Sequence, residues 1–189
     1  MYLSMLQDGR LHALLWELDR EAAAEAREGG CLLCRSVLHR ARFPRKPRGG
    51  PTGLPAEEEK RESFCCAKEG CRTRRTPPSL RFLGRKVYRG TVVVLVAAMR
   101  HGATPERMRK LREAVGVSAR TVERWRKWWR TVFVASPIWR ARSGRFVPPV
   151  AEQALPLSLL ERFAGDERER LVLLLRFLSP LSEGGTQAI

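Results

Sequence analysis

A chain of 189 residues, 43% of them apolar, can bury one modest core or two small ones, and its 36 basic against 20 acidic side chains leave a formal charge of +16. This composition excludes disorder throughout and points to a polyanionic partner, because such a charge concentrates nucleic acid and makes binding salt-dependent. The longest apolar run, Val92 to Met99, is too short to span a bilayer, and Asp8, Glu17, Asp19 and Glu21 break up any signal-peptide pattern, so no membrane role and an intracellular site are expected.

Residues 1–30 carry an apolar stripe of Leu11, Leu14, Leu15 and Leu18, extended by Ala22 and Ala26. The spacing predicts an amphipathic helix from about Asp8 to Arg27, ended by Gly29-Gly30, that packs on another helix or a second subunit. His12 on it reads as a surface or packing residue, not a ligand.

Residues 31–80 hold all five cysteines, which in a reducing compartment are read for metal rather than for disulfides. Cys31-Leu-Leu-Cys34 is one close pair, and Cys66 with Cys71 is the preferred second, the arrangement by which a zinc ribbon presents four thiolates to structural Zn2+. Leu38 to Phe43 and Glu62 to Cys66 read as the strands between them. Phe64, two residues before Cys66, would share its strand face and cover the site, turning Cys65 away. Cys65 in place of Cys66, His39 as an added ligand, and thiols without metal remain alternatives. The insert at 44–60, rich in Pro, Gly and charge, reads as a mobile loop whose Arg45, Lys46 and Arg48 could touch phosphates.

Residues 81–135 are expected to form a three-helix unit reached through a basic connector anchored by Phe82, Leu83, Val87 and Tyr88. Thr91 to Arg100 reads as its buried first helix, with a strand as the alternative. Thr104 and Pro105 open a second helix with Met108, Leu111 and Val115 on one face. Gly116 ends it, Val117 plugs the corner, and Ser118 caps a third helix whose inward face is Val122, Trp125 and Trp129. That is a helix-turn-helix, except that Arg112 stands where such motifs usually place a small residue. Ser118, Ala119, Arg120, Glu123, Arg124 and Lys127 would then face a major groove, where Arg pairs with guanine and Glu accepts from cytosine. The bland reading is a solvated basic face.

The third helix is expected to continue a turn through Val134. Residues 136–157 read as a linker, 158–179 as a helical pair with a stripe of Leu171, Leu174, Leu175 and Leu178, and 180–189 as disordered. The stripe suits either the chain's own core or a docking or dimerisation role, and the second is preferred. No spaced carboxylate triad, Walker A loop or nucleophile elbow is present, so no catalysis is expected of this chain.

CLLC, FCCAKEGCRTRRTPPSLRFLGRKVY and GVSARTVERWRKWW together resemble the zinc-ribbon plus helix-turn-helix region of proteins carried by bacterial insertion elements, including N-terminal DNA-binding parts of some transposases. The resemblance spans about Cys31 to Arg130. It implies binding to element ends or related duplex DNA in a bacterial cytoplasm, with Cys31, Cys34, Cys66 and Cys71 as zinc ligands. No catalytic domain accompanies it, so an accessory protein beside a separately encoded transposase or recombinase is expected. A transcription regulator that forms a homodimer through its C-terminal helices, or an RNA- or protein-binding assembly subunit, are the other readings. The expected fold is mostly α with a small β zinc ribbon: N-terminal helix, ribbon, three-helix unit and C-terminal helical hairpin.

Overall fold

The computed structural model describes residues 2–45, 47–84, 86–99 and 104–183. It is mostly helical, with small antiparallel sheets. A short helix α1 (Tyr2–Leu6) leads into α2 (Gly9–Glu28). Asp8 caps α2 by accepting the N–H of Arg10 at 2.9 Å and of Leu11 at 3.3 Å. Its buried face is Leu11, His12, Leu15, Asp19, Ala23 and Ala26, rotated from the leucine stripe, so that Leu14 is exposed and two polar residues point inward.

Antiparallel pairing brings β1 (Leu38–Arg40), β4 (Phe64–Cys66) and β5 (Arg74–Arg75) into one sheet, and β2 (Phe43–Pro44) pairs with β3 (Lys60–Arg61). The insert between β2 and β3 is not the free loop expected of its composition. The N–H of Arg48 bonds the carbonyl of Val87 at 2.9 Å, and the N–H of Arg89 bonds the carbonyl of Arg48 at 3.1 Å. Gly49 has φ +72°, and a Cβ there would come within 2.7 Å of Val92, so the insert lies on the helical core at a point only glycine fits.

The helical body is built on α3 (Gly90–Ala97), every residue of which is buried. Around it pack α4 (Pro105–Val115) and α5 (Ala119–Trp128), which runs on into a π turn, Trp129–Phe133, where Trp129 and Phe133 are buried edge to face at 4.7 Å. The expected linker contains α6 (Pro137–Arg142), capped by Ser136, and its Trp139 is buried with the indole N–H on Glu152 at 2.7 Å. It is therefore part of the core, because an aromatic of that size gains more from burial than the segment loses in freedom. Then come α7 (Leu157–Leu160) and α8 (Glu167–Leu178), opened by a capping box of Asp166 and Glu169.

The leucines of α8 join the same core as α1, α2 and α3, which corrects the expectation of a loosely held docking tail. Disorder from residue 180 is likewise corrected for 180–183. A 3-10 turn spans Ser179–Ser182, and the hydroxyl of buried Ser182 accepts the N–H of Ser79 at 2.7 Å. Residues 184–189 lie outside the described residues.

Under α2 runs a buried polar network. Asp19 accepts from the Ser79 hydroxyl at 2.5 Å, the Leu80 N–H at 2.6 Å and Arg81 Nε at 2.8 Å, while Arg81 also donates to the carbonyls of Glu58 and Lys60. An ion pair this deep is tolerated because each of the two charged groups makes three hydrogen bonds. His12 has no such support: its ring is buried, and neither nitrogen makes a hydrogen bond of normal geometry. Burial first, and then the charge of Arg89, lower its pKa from 6.5 to about 4.

Across that window the unfolded chain binds more protons at His12 than the folded one. The stabilisation is thus complete above pH 6.5 and is lost as pH falls toward 4, by about 3 kcal/mol in all. Urea unfolding at pH 7 and pH 4.5 should show a steeper loss for the native chain than for His12→Met. Equal losses would mean that His12 is not held neutral by the fold.

Candidate metal centre and basic helix face

Two turns and a strand present four thiols to one point. In the first, Gly30 and Arg35 take positive φ, the N–H of Arg35 bonds the carbonyl of Cys31 at 2.9 Å, and the N–H of Cys31 bonds that of Ser36 at 2.9 Å. In the second, Gly70 and Arg72 take positive φ, and the N–H groups of Cys71 and Arg72 both reach the carbonyl of Lys68. Strand β4 supplies Cys66, opposite Leu38 of β1. The Sγ atoms of Cys31, Cys34, Cys66 and Cys71 all lie within 4.8 Å of one another, with Cys31 and Cys71 at 3.7 Å and Cys34 and Cys66 at 3.4 Å. A tetrahedron with bonds of about 2.3 Å to sulfur has edges of about 3.8 Å, so four thiolates here fit a single metal ion.

Hydrogen bonds prepare the thiolates. The hydroxyl and N–H of Ser36 donate to Cys34 and lower its thiol to about 6. Thr73 lowers Cys71 in the same way, its hydroxyl 3.3 Å from Sγ. Cys66 sits deeper, and burial pushes it up to about 12, so a bound cation would have to supply the charge that deprotonates it. Around the four thiols the apolar support is small: Ala23, Ala26, Leu38 and Phe64. Phe64 is buried in the same apolar cluster as Cys31 and Cys66.

Both alternates fall outside the cluster. Alternation along β4 turns Cys65 outward, with its Sγ near the carbonyls of Cys66 and Arg72, and exposed His39 stands opposite Cys65 on β1.

The second candidate region is the outer side of α5. Gly116, at φ +67°, ends α4, Val117 is buried in the corner, and the Ser118 hydroxyl accepts the N–H of Thr121 at 3.3 Å. Met108, Leu111 and Val115 of α4 meet Val122, Trp125 and Trp129 in the core, as the spacing requires. Arg112 is exposed, so its length does not enter the packing. Ala119, Arg120, Glu123, Arg124 and Lys127 are exposed on one face, and Ser118 is half-buried at its start. On α4 the charges pair with each other, Arg109 with Glu113 at 3.0 Å and Lys110 with Glu106 at 2.9 Å. Among the described residues, Arg120, Glu123, Arg124 and Lys127 have no ion pair.

The insert residues divide. The half-buried guanidinium of Arg45 lies over the Phe82 ring and donates to the carbonyls of Gly84 at 2.9 Å and Lys86 at 3.1 Å, so it holds the connector and does not stand ready for phosphate. Arg48 is exposed on a fixed main chain, and Lys46 lies outside the described residues. In the connector, Phe82 and Leu83 are buried as expected, but Val87 is exposed. Its neighbours do the anchoring. Tyr88 packs edge to face on Trp125 at 5.0 Å and donates its hydroxyl to the carbonyl of Gly116 at 3.0 Å, while Lys86 Nζ stands 4.2 Å from the Trp128 ring centroid. Lys86 was missed by sequence reasoning because nothing in a connector's composition says which helix face it will lie on.

Among the described residues no helix is long and apolar enough to cross a membrane. No protein-family model, no curated protein and no solved structure matches the chain.

Proposed function

We propose that this chain is a sequence-specific double-stranded DNA-binding protein with a structural zinc site. In this reading α4 and α5 are a helix-turn-helix, α5 enters the major groove, and the four-cysteine cluster is the centre of a zinc ribbon. The observation that carries it is the outer face of α5. Among the described residues, Arg120, Glu123, Arg124 and Lys127 project there without an ion pair, whereas on α4 Arg109 pairs with Glu113 and Lys110 with Glu106. Side chains kept free of each other can meet base edges without first breaking an ion pair. The formal charge of +16 supplies the sequence-independent part of the affinity.

The resemblance to proteins of bacterial insertion elements favours an accessory role beside a separately encoded transposase or recombinase, and no catalytic step is assigned to this chain. The regulator reading loses the interface it relied on, since the leucines meant for dimerisation are buried within the chain. An RNA-binding assembly role stays as the competitor that the experiment must separate.

Selection of bound sequences from random duplex DNA, followed by competition with a structured RNA, tests the proposal. Replacing Arg120 or Arg124 by Ala should then cost about 1–3 kcal/mol on the selected site and relax its sequence preference. Arg48→Ala should weaken all sequences alike, and Arg45→Ala should lower thermal stability instead. No enriched sequence, or stronger binding to the RNA, would overturn the reading.

A further inference from the structure

We infer that Lys86, on the connector before α3, is a phosphate-binding residue that grips the DNA backbone beside α5. The inference rests on the DNA-binding reading above and extends the contact surface beyond the two helices.

The position follows from helix geometry. With Val122, Trp125 and Trp129 turned inward, a rotation of about 100° per residue places Arg120 and Lys127 opposite them, and Arg124 and Trp128 on one flank. The ammonium of Lys86 stands over the Trp128 ring at 4.2 Å, which puts it on that same flank. A helix lying in a major groove has a phosphate strand along each side, so this flank is where a backbone contact is expected.

The connector is also held firmly enough to aim a side chain. Tyr88, two residues on, is tied to Trp125 and to the carbonyl of Gly116. Arg45 bonds the carbonyl of Lys86 itself at 3.1 Å, and the main chain of Arg48 brackets Val87 and Arg89. Lys86 is therefore presented from a segment whose main chain is tied to its neighbours on the C-terminal side.

Lys86 is half-buried and, among the described residues, has no carboxylate partner. Burial and then the nearby charge of Arg124 both lower its pKa, as expected of two cations brought near one another on this flank. The aromatic face offsets part of that repulsion, and a phosphate oxygen would offset the rest.

The test is a salt titration of binding to a labelled duplex of mixed sequence, using the full chain, Lys86→Met, Lys86→Arg and a control, Arg176→Met, on the exposed side of α8. Met keeps the packing on Trp128 without the charge. Lys86→Met should bind about three- to tenfold more weakly, and the slope of log affinity against log salt should fall by about 0.9, as for one lost phosphate contact on B-form DNA. Sequence preference should not change, Lys86→Arg should restore the slope, and the control should match the full chain. Thermal unfolding checks that each variant folds, and Lys86→Gln carries the same comparison if Lys86→Met does not. If the wild-type chain binds duplex and Lys86→Met leaves the slope unchanged, this inference alone is overturned. A wild-type chain that binds no duplex overturns the DNA-binding reading and this inference together.

Discussion

Ending the chain after Ala154 should abolish its cooperative thermal transition. The deletion removes Leu155, Leu159, Leu160, Leu171, Leu174, Leu175 and Leu178, none of them more than 5% exposed. At about 1.5–3 kcal/mol for each buried leucine the loss is about 10–20 kcal/mol, as large as the whole stability of an ordinary domain. The seat of α8 is specific as well as apolar: a Cβ on Gly90 would come within 3.2 Å of Leu175, so α8 rests directly on the start of α3. Ser182 would take its hydrogen bond away from Ser79, and Arg61 would lose the Ser182 carbonyl at 3.3 Å. A milder form of the experiment is Leu174→Ala, which should cost about 2–5 kcal/mol and lower the melting temperature by about ten degrees. Circular dichroism melts decide the matter. A truncated chain that melts cooperatively at the wild-type temperature would show that the tail is a separate docking element.

Removing the metal should have a comparably large effect, confined to another part of the molecule. Among the described residues, the apolar side chains buried around the thiols are Ala23, Ala26, Leu38 and Phe64, far too little apolar surface to fold residues 31–42 and 62–76 unaided. For a structural zinc site the metal contributes about 10–16 kcal/mol at neutral pH, so binding and local folding are one event. A strong chelator should therefore release about one equivalent of metal per chain, expose four thiols to alkylation and raise amide exchange across residues 31–42 and 62–76, while the insert between them stays held on the helical core. Trp125, Trp129 and Trp139 lie in the other core, and their fluorescence should change little. Cys34→Ser should lose the metal, whereas Cys65→Ser should keep it, because only Cys34 belongs to the cluster. Retention of a full equivalent by Cys34→Ser would remove the four-thiolate assignment.

What the amino-acid sequence determines by itself is what short-range physics encodes. Asp8, Ser118, Ser136 and Asp166 satisfy N–H groups within three residues of themselves, and Gly116 takes the positive φ that ends α4, so these boundaries are written locally. Which cysteine of the adjacent pair joins the cluster is equally local, since alternation along β4 puts Phe64 and Cys66 on one face and Cys65 on the other. Tertiary structure alone decided the rest. A stripe of Leu171, Leu174, Leu175 and Leu178 looks the same whether it will meet α3 of its own chain or another subunit. The choice depends on a complementary surface some eighty residues away in the sequence, counting from Leu171 back to Gly90. The insert has the composition of a mobile loop, yet Gly49 finds a seat on Val92 that composition does not announce. His12 and Asp19 turn inward because α2 meets the connector on that side, where Arg81 completes the pairing that makes a buried Asp19 tolerable. Lys86 comes to lie beside α5 for the same reason: contacts distant in sequence, not its neighbours in the chain, set its place.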